Sequence, residues 1–391
     1  MKHSLLSTEE QVQLIQDYQP GAFFLASPKR ALLAEGIFQH IKTNQLDELS
    51  TKVAHVFETA KQAGIQAPIV AGAVPFDPAQ PVRLNVPVHV QFSDPLEFHQ
   101  DDEELEVASY EVTPVPSPDV YMEGVNEGLA KIEKGELSKI VISRSLHLKS
   151  NQDIPTKAIL ERLARHNTTG YTFAANVADP KSSQKRTLLG ASPELLLSKT
   201  GSSVISNPLA GSRPRSSDPV EDQRRHDELL TSAKDLHEHA VVVDAVTKAL
   251  APYCRTLDVP ASPSVIQTET MWHLSTVVKG ELADSSVSSI DLALSLHPTP
   301  AVCGTPTADA REAIQAIEPF DRGFFTGMVG WADANGDGDW IVTIRCAEAE
   351  GHSLRLYAGA GVVKGSKAQE ELAETSAKFH TMLRAMGIYQ L

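Results

Sequence analysis

The sequence FFTGMVGWADANGDGDWIVTIRCAEAEGHSLRLYAGAG, at residues 324–361, has the pattern of three consecutive antiparallel strands. Asn335-Gly336 is the preferred dipeptide for a hairpin turn, and it is flanked by two predicted strands, over residues 324–332 and 339–347. Gly351 marks a second turn, and every second residue over 354–358 is apolar, as expected for a third strand. This segment therefore predicts neighbouring strands that pair through hairpins.

Long amphipathic segments flank the predicted strands. Apolar residues recur at helical spacing over residues 119–135, 224–252 and 368–386, and Gly387 stops the last of these segments. Asp119 has the residue type and the position of a helix N-cap. Antiparallel strands with helices outside them are typical of the α+β class, which we predict for this chain.

Three further segments lie between these elements. Residues 93–119 are acidic and rich in proline, with four consecutive acidic residues at 101–104, and we predict a solvated connection there. Residues 207–223 are rich in proline, glycine, serine and arginine, which predicts a mobile loop. Residues 266–282 are predicted to form a strand.

Composition excludes several classes of protein. The 391 residues include 35 Lys and Arg against 50 Asp and Glu, a net charge of −15, and phosphate recognition needs clustered basic residues, so we do not expect nucleic acid as a partner. Residues 1–10 lack the apolar segment of a signal peptide, and no 18-residue apolar run predicts a membrane span. Three cysteines without a CxxC motif favour a reducing cytoplasm. Because coiled-coil heptads are absent, we expect a monomer.

Acidic residues at helical spacing form two clusters. Asp235 and Glu238 lie three residues apart, so a helix places them on one face. Glu371, Glu374 and Lys378 share a face in the same way. Paired carboxylates suit Mg²⁺, which prefers oxygen ligands. The alternative is that each cluster is a solvated helix face, which is the commoner arrangement for either cluster taken alone.

Three other positions carry side chains suited to catalysis or binding. Lys139 begins an apolar strand; such a lysine is usually solvated, but when desolvated it can act as a base. Glu194 follows a turn and opens an apolar strand, where apolar surroundings would raise its pKa and let it act as an acid. Gly359 and Gly361 permit close approach of the backbone, and Arg345 on the preceding strand can bind a carboxylate in bidentate fashion.

From Tyr121 to the C-terminus, and weakly before it, the chain resembles the chorismate-utilising enzymes, most closely the siderophore-pathway isochorismate synthases of the 2,3-dihydroxybenzoate type. The resemblance rests on nine motifs that occur in order. They are KIVISR (139–144), GASPELLL (190–197), PLAGSR (208–213), KDLHEH (234–239), TMWHLST (270–276), LHPTPAVCG (296–304), VTIRCA (342–347), AGAGVV (358–363) and ELAETSAK (371–378).

The resemblance implies a single large domain, residues 1–391, with two antiparallel sheets and helices outside. Residues 1–118 would be its less typical part, and residues 119–391 would hold the catalytic motifs. Lys139 would be the general base and Glu194 the general acid. Glu238 and Glu374 would bind Mg²⁺, with Asp235 and Glu371 acting nearby through water. The implied substrate contacts are Gly211, Ser212, His273, Ala301, Arg345, Gly359, Gly361 and Lys378.

The resemblance also implies a reaction, the conversion of chorismate to isochorismate by water attack at C2 with loss of the 4-hydroxyl. Ala210 stands where aminodeoxychorismate synthases carry a nucleophilic lysine, so water would be the attacking group. Ala301 stands where lyases of the family tend to carry threonine, which favours stopping at isochorismate. A downstream isochorismatase would take the product. The alternatives are a salicylate- or anthranilate-type lyase, or an isochorismate synthase of a menaquinone pathway.

Overall fold

Antiparallel strands form three sheets in the computed structural model, which describes residues 14–43, 45–98 and 109–389. The predictions made for residues 1–10 and 101–104 lie outside these ranges. The ten-stranded sheet contains β1 Phe23–Ala26, β2 Ala31–Glu35, β6 His89–Ser93, β7 Tyr110–Val115, β8 Lys139–Ser150, β9 Tyr171–Asn176, β10 Arg186–Ser192, β18 Gly304–Thr305, β21 Cys346–Glu350 and β22 Ser353–Val362.

The other two sheets are also antiparallel. The nine-stranded sheet contains β3 Gln39–Ile41, β4 Ile69–Val74, β5 Arg83–Val86, β11 Leu195–Thr200, β12 Ser203–Asn207, β14 Cys254–Asp258, β17 Val278–Leu282, β19 Met328–Asp333 and β20 Gly338–Val342. The small sheet, which the resemblance did not predict, contains β13 Leu209–Pro214, β15 Ser264–Gln267 and β16 Met271–Ser275.

The α-helices lie outside the two large sheets, which confirms the α+β class. They are α1 Leu49–Gln62, α2 Pro118–Glu133, α3 Thr156–His166, α4 Pro219–Thr231, α5 Ala233–Leu250, α6 Ser289–Leu296, α7 Thr307–Ile317 and α8 Ala368–Ala385. Over the described ranges, none of the helices combines the length and the apolar character needed to cross a bilayer.

Apolar side chains of the two large sheets pack against each other and form the central core. Phe173 and Leu188 come from the ten-stranded sheet, and Val329 and Ile341 from the nine-stranded sheet; each is buried. The outer face of the ten-stranded sheet packs on α3 and α8. The outer face of the nine-stranded sheet packs on α1, α5 and α6. Helices α5 and α8 therefore lie on different sheets, and they meet beside the end of the sandwich.

The chain crosses between the two large sheets at several points, two of which are neighbours. The predicted turn after Ser192 carries the chain from β10 to β11, and residues 343–345 carry it from β20 to β21. The crossings are joined by hydrogen bonds from the Val342 N–H to the Glu194 carbonyl (3.2 Å) and from the Ala191 N–H to the Arg345 carbonyl (3.0 Å). These crossings bring Glu194 and Arg345 together at one end of the sandwich.

The hairpin at Asn335-Gly336 is confirmed, but the prediction of one strand over residues 339–347 is wrong. The alternation of side chains along this segment ends after Val342, where the chain leaves the nine-stranded sheet for the ten-stranded sheet. Arg345, at this crossing, adopts a left-handed φ of 50°, which a regular strand does not contain. The prediction that residues 93–119 form only a solvated connection is also wrong, because β7 pairs with β8 along Tyr110–Val115.

Four other local predictions are wrong. The N-cap of α2 is Ser117, not Asp119, because the Ser117 hydroxyl faces the Val120 N–H and Pro118 occupies the first helical turn. Residues 207–223 are not a mobile loop but contain β13 and the start of α4. The predicted helix over residues 224–252 is interrupted at Ser232, whose extended backbone ends α4 and whose hydroxyl caps α5. The predicted strand over residues 266–282 is likewise divided among β15, β16 and β17.

Candidate active site

A cavity lies where the sheet crossings, β13, β16, β22 and helices α5 and α8 converge. It encloses about 620 Å³, including the solvent at its mouth. Most of the site residues predicted from the sequence line this cavity, although they come from distant parts of the chain. They are Glu194, Gly211, Ser212, Glu238, His273, Ala301, Arg345, Gly359, Gly361, Glu374 and Lys378.

Glu194 is a buried carboxyl group at the first crossing. Its backbone N–H donates to the Ser192 hydroxyl (3.2 Å), which fixes the turn. Burial raises the pKa of Glu194 to about 8, and a hydrogen bond from the Leu209 backbone and the charges of Lys139, Lys378 and Arg345 oppose this rise only in part. Glu194 is therefore largely protonated at neutral pH and can donate a proton into the cavity.

Lys139 is fully buried at the start of β8, directly behind the cavity wall. Its Nζ donates to Glu238 Oε1 at 2.8 Å, which links β8 to α5. A Cβ added to Gly361 would lie 2.0 Å from Glu238 Oε1 and 3.2 Å from Lys139 Cε, so only glycine fits between the cavity and this pair. The described residues that line the cavity include Glu238 and Gly361 but not Lys139. The amino group of Lys139 thus lies one layer behind the cavity surface, hydrogen-bonded to a carboxylate at that surface.

Arg345 presents an unpartnered donor at the cavity. Its Nη2 donates to His273 Nε2 at 3.1 Å, whereas its buried Nη1 has no hydrogen-bond partner among the described residues. Burial lowers the pKa of Arg345 to about 10, so the guanidinium is still charged at neutral pH. A buried charged donor without an acceptor is costly, and an anionic ligand would supply the acceptor.

His273 orients both Arg345 and Ser212. Burial, followed by the charges of Arg345 and Lys378, lowers the pKa of His273 well below its usual value, so the ring is neutral. Because a guanidinium only donates, Nε2 must accept, and the ring proton is therefore on Nδ1. Nδ1 lies 2.8 Å from the Ser212 oxygen and donates to it. The Ser212 hydroxyl proton is thereby left available to another acceptor.

The two predicted metal-binding helices meet at this cavity. Glu374 of α8 accepts from Lys378 Nζ at 2.6 Å, and Lys378 also donates to the Gly359 carbonyl at 2.8 Å. Lys234 of α5 contacts Glu371 of α8 at 2.6 Å, which joins the helices directly. Both carboxylates on α8 therefore have basic partners in this structure.

Asp235 and Glu371 are the carboxylates that the resemblance places near the metal, acting through water. Neither is among the described residues that line the cavity. Arg213 holds Asp235 through two hydrogen bonds, of 2.5 Å from Nη2 and 3.2 Å from Nη1. In this structure, each therefore has a basic side chain as its partner, which fits carboxylates that stand behind the cavity surface.

The carboxylate arrangement fits a divalent cation. Burial, and then the negative charge of Glu374, raise the pKa of Glu371 to about 7, so the two carboxylates lie close enough to repel each other. A cation among these oxygens would relieve that repulsion, and oxygen ligands suit Mg²⁺. In the part of the chain that the structure describes, however, no group of three or more His, Cys, Asp or Glu side chains is assembled as a metal site. Mg²⁺ binding stays a prediction.

Several cavity residues were not predicted from the sequence. They are Val141, Pro193, Leu209, Phe325, Thr326, Ile344, Tyr357 and Ala358. Phe325 and Tyr357 stack with ring centroids 5.1 Å apart and an interplanar angle of 10°. These are mostly apolar residues within strands or beside them, and nothing in the sequence distinguishes such residues from core residues.

Comparison with known proteins identifies the family to which this chain belongs. A family model described as chorismate binding enzyme matches residues 88–387. The isochorismate synthase DhbC of Bacillus subtilis (strain 168) is 61% identical over 394 residues, covering 99% of each chain. The crystal structure of DhbC from Bacillus anthracis, described as a 2,3-dihydroxybenzoate-specific isochorismate synthase, is 57% identical with a TM-score of 0.93, covering 98% of this chain and all of that one.

A more distant structure has the same fold. Anthranilate synthase component I from Streptococcus pneumoniae is 20% identical with a TM-score of 0.71, covering 98% of this chain and 94% of that one. The resemblance and the fold predicted from the sequence are therefore confirmed. This chain belongs to the family of chorismate-binding enzymes, in the group that includes the isochorismate synthases.

Proposed function

We propose that this protein is an isomerase, a Mg²⁺-dependent isochorismate synthase that converts chorismate to isochorismate for the synthesis of 2,3-dihydroxybenzoate. The observation that carries the proposal is one cavity that joins a buried acid, Glu194, with the unpartnered Nη1 of Arg345. Glu194 can supply a proton, and the unpartnered donor of Arg345 requires an anionic acceptor. Chorismate, a dicarboxylate with an allylic hydroxyl, needs both.

The reaction exchanges one hydroxyl for another across the ring. A water oxygen bonds to C2 while the double bonds shift and the C4–O bond breaks. Lys139, as the neutral amine, takes a proton from the attacking water, and Glu194 gives its proton to the departing 4-hydroxyl, which leaves as water. Atoms therefore balance, and the product is an isomer of the substrate. A positioned acid and base contribute on the order of 10²–10⁴-fold each to such a reaction.

Binding is assigned to the cationic and hydroxyl donors of the cavity. Arg345 and Ser212 would hold one substrate carboxylate, since both have a donor available to it. Glu238 and Glu374 would hold Mg²⁺, with Asp235 and Glu371 behind them. When bound, Mg²⁺ supplies positive charge that orients an anionic substrate in this acidic protein.

The small side chains of the cavity favour the isomerase over its alternatives. Ala210 and Ala301 both line the cavity. Ala210 provides no amine to attack C2, and Ala301 provides no hydroxyl at the position where lyases of this family tend to carry threonine. The 2,3-dihydroxybenzoate assignment follows the relatives from Bacillus subtilis and Bacillus anthracis. We place the enzyme in the cytoplasm as a monomer, with a separate isochorismatase consuming its product.

The test is incubation of the purified protein with chorismate and MgCl₂, followed by chromatography and a coupled assay for pyruvate. We expect isochorismate without stoichiometric pyruvate, and we expect no isochorismate after chelation of the metal. The control is E194Q, which retains the shape of the acid but has no proton to give. Release of pyruvate with salicylate or anthranilate would show a lyase instead. Full activity in excess chelator would remove Mg²⁺ from the proposal.

A further inference from the structure

A buried ion pair lies beside the cavity and takes no part in the mechanism above. Glu318 follows α7, and Arg322 lies one turn later in the chain; the side chains are 1% and 2% exposed. Arg322 Nε donates to Glu318 Oε2 at 2.8 Å, and Arg322 Nη2 donates to Glu318 Oε1 at 2.5 Å. Phe76 lies near the guanidinium, with its ring centroid 4.7 Å from Cζ. The pair is thus bidentate and shielded from water.

Arg322 uses all five of its N–H donors. Besides the two bonds to Glu318, Nη1 donates to the Val302 carbonyl at 2.7 Å and to the Thr326 hydroxyl at 3.3 Å, and Nη2 donates to the Val141 carbonyl at 2.8 Å. Glu318 Oε1 also accepts from the Ser143 N–H at 2.7 Å. Only a guanidinium has five donors in a rigid planar arrangement, so lysine could not make this set of contacts.

The three other acceptors of Arg322 belong to three different walls of the cavity. Val141, Val302 and Thr326 all line it. Val141 lies two residues after Lys139 on β8, and Val302 follows Ala301. Thr326 has a left-handed φ of 60°, and its N–H donates to the Thr343 carbonyl at 2.7 Å, beside the crossing that carries Arg345. The Arg322 guanidinium therefore links β8, the strand that carries Lys139, to the segments of Val302 and Thr326, which form other parts of the cavity wall.

Stability alone does not account for such a pair. Replacing a buried ion pair with apolar residues is often neutral or stabilising, because the charges lose their hydration. What the pair supplies here is geometry, since the acceptors must keep fixed distances to satisfy five donors at once. Positions near a reacting centre matter because a displacement of about 1 Å can cost on the order of 10²-fold in rate.

We propose that Arg322 and Glu318 are positioning residues that hold Lys139 in register with the opposite walls of the cavity. The proposal rests on the proposed function for its kinetic consequence. Arg345, Ser212 and Lys378, the donors assigned to the substrate, have no direct hydrogen bond to this pair among the described contacts. Loss of the pair should therefore lower kcat while leaving KM nearly unchanged.

The test compares R322K and E318Q with K199M. Lysine at position 322 keeps the charge but has at most three donors, and glutamine at position 318 keeps an acceptor for Ser143 but removes the charge. Lys199 is an equally buried lysine that pairs with Asp337 at 2.8 Å beside the Asn335-Gly336 hairpin, outside the described cavity lining. K199M therefore removes a buried charge and its bond to Asp337, whose side chain is 28% exposed, without touching the cavity walls.

All proteins are assayed well below their melting temperatures, with rates divided by the folded fraction from circular dichroism. We expect kcat to fall by about 10-fold or more in R322K, with KM within about threefold of wild type. E318Q should also lower kcat with KM nearly unchanged, but its fall in kcat should be smaller. K199M should keep the wild-type kcat. An unchanged kcat in both R322K and E318Q would overturn the proposal. So would an equal loss in K199M, because that would be general destabilisation.

A second readout separates this proposal from the proposed function. Methyl NMR of the substrate-free protein reports Val141 and Val302 directly, and it requires no turnover. We expect their resonances to shift or broaden in R322K but not in K199M. If the wild type does not convert chorismate while these shifts occur, the proposed function fails and the positioning role stands. If the methyl resonances are unchanged in R322K, the positioning role fails whatever the activity is.

Discussion

Glu194 is the residue whose environment most directly sets its chemistry. Its pKa is raised to about 8 by burial, so the folded protein favours the protonated form. We expect the rate to fall as the pH rises through about 8, because the acid loses its proton. E194Q should reduce kcat on the order of 10²–10⁴-fold at neutral pH. A pH–rate profile of kcat for both proteins checks this, and E194Q should lack the decline near pH 8.

The same group makes stability depend on pH. A carboxyl whose pKa is higher in the folded state than in the unfolded state stabilises the fold fully below its unfolded pKa, and this contribution is lost as the pH rises through the folded value. Relative to wild type, E194Q should therefore gain stability between about pH 4.5 and 8, up to a limit of about 5 kcal/mol. Urea unfolding of both proteins at about pH 5 and pH 8.5 measures the difference. A constant difference would contradict the raised pKa.

At the residue scale, the sequence predicted the chemical character of the site residues better than their backbone geometry. Glu194 was predicted to be an acid because it opens an apolar strand, where apolar surroundings would raise its pKa, and burial does raise that pKa. Arg345 was nominated as a carboxylate ligand on a regular strand, but it lies at a crossing with positive φ. Arg322 was not predicted, because only the tertiary contacts show that three of its five donors reach three different cavity walls.

At the element scale, β22 passes so close to α5 that only glycine fits at position 361. A Cβ there would lie 2.0 Å from Glu238 Oε1, so G361A must displace this carboxylate from Lys139. We expect G361A to lower activity by about 100-fold or more and to destabilise the fold by about 3–5 kcal/mol, because a buried ion pair is broken. Activity assays and chemical denaturation measure both effects.

A double-mutant cycle tests this cause. E238A removes the group that the new methyl would strike, so the loss of stability caused by G361A should be smaller in the E238A background. If the stability losses of G361A and E238A are additive, the steric contact with Glu238 is not the cause of the destabilisation by G361A. The two residues touch, so non-additivity is the expected behaviour.

The break between α4 and α5 is set by a single residue. Ser232 has an extended backbone, and its hydroxyl accepts from the Asp235 N–H at 3.3 Å, which starts α5. S232A should lower the free energy of unfolding by about 1 kcal/mol, and S232G by only a few tenths, because glycine also tolerates the N-cap backbone. Urea denaturation at neutral pH distinguishes the two. Equal losses would indicate that the hydroxyl contributes little.

Elements with strong periodicity were predictable, and elements built by tertiary contacts were not. The hairpin at Asn335-Gly336 and the final helix followed from local signals. Residues 209–214 have the composition of a loop, yet they form a strand because β16 pairs with them. Composition reports local preference, and pairing across 60 residues overrides it.

At the scale of the whole molecule, the site exists because two sheets and two helices end at the same place. Lys139, Glu194 and Arg345 lie on β8 and at the two crossings, and Glu238 and Glu374 come from helices packed on opposite sheets. Periodicity predicted these elements one at a time but carried no information on which of them meet. The resemblance to a known family supplied that information, since the ordered motifs bring a common architecture with them.

The convergence also concentrates negative charge inside a protein whose net charge is −15. Because Glu371 and Glu374 repel each other, a divalent cation that binds only the folded state should stabilise it. At 100 times the dissociation constant, this linkage contributes about 2.7 kcal/mol. We therefore expect MgCl₂ to raise the melting temperature by roughly 2–5 °C.

The measurement is thermal unfolding with MgCl₂ against NaCl at equal ionic strength, since simple screening also stabilises an acidic chain. E374Q should lose the part of the rise that is specific to Mg²⁺, whereas E281Q, which removes an exposed glutamate from β17, should keep it. An equal rise in both variants would place the cation elsewhere on the acidic surface, and a rise no larger than that in NaCl would argue against a specific site in the substrate-free protein.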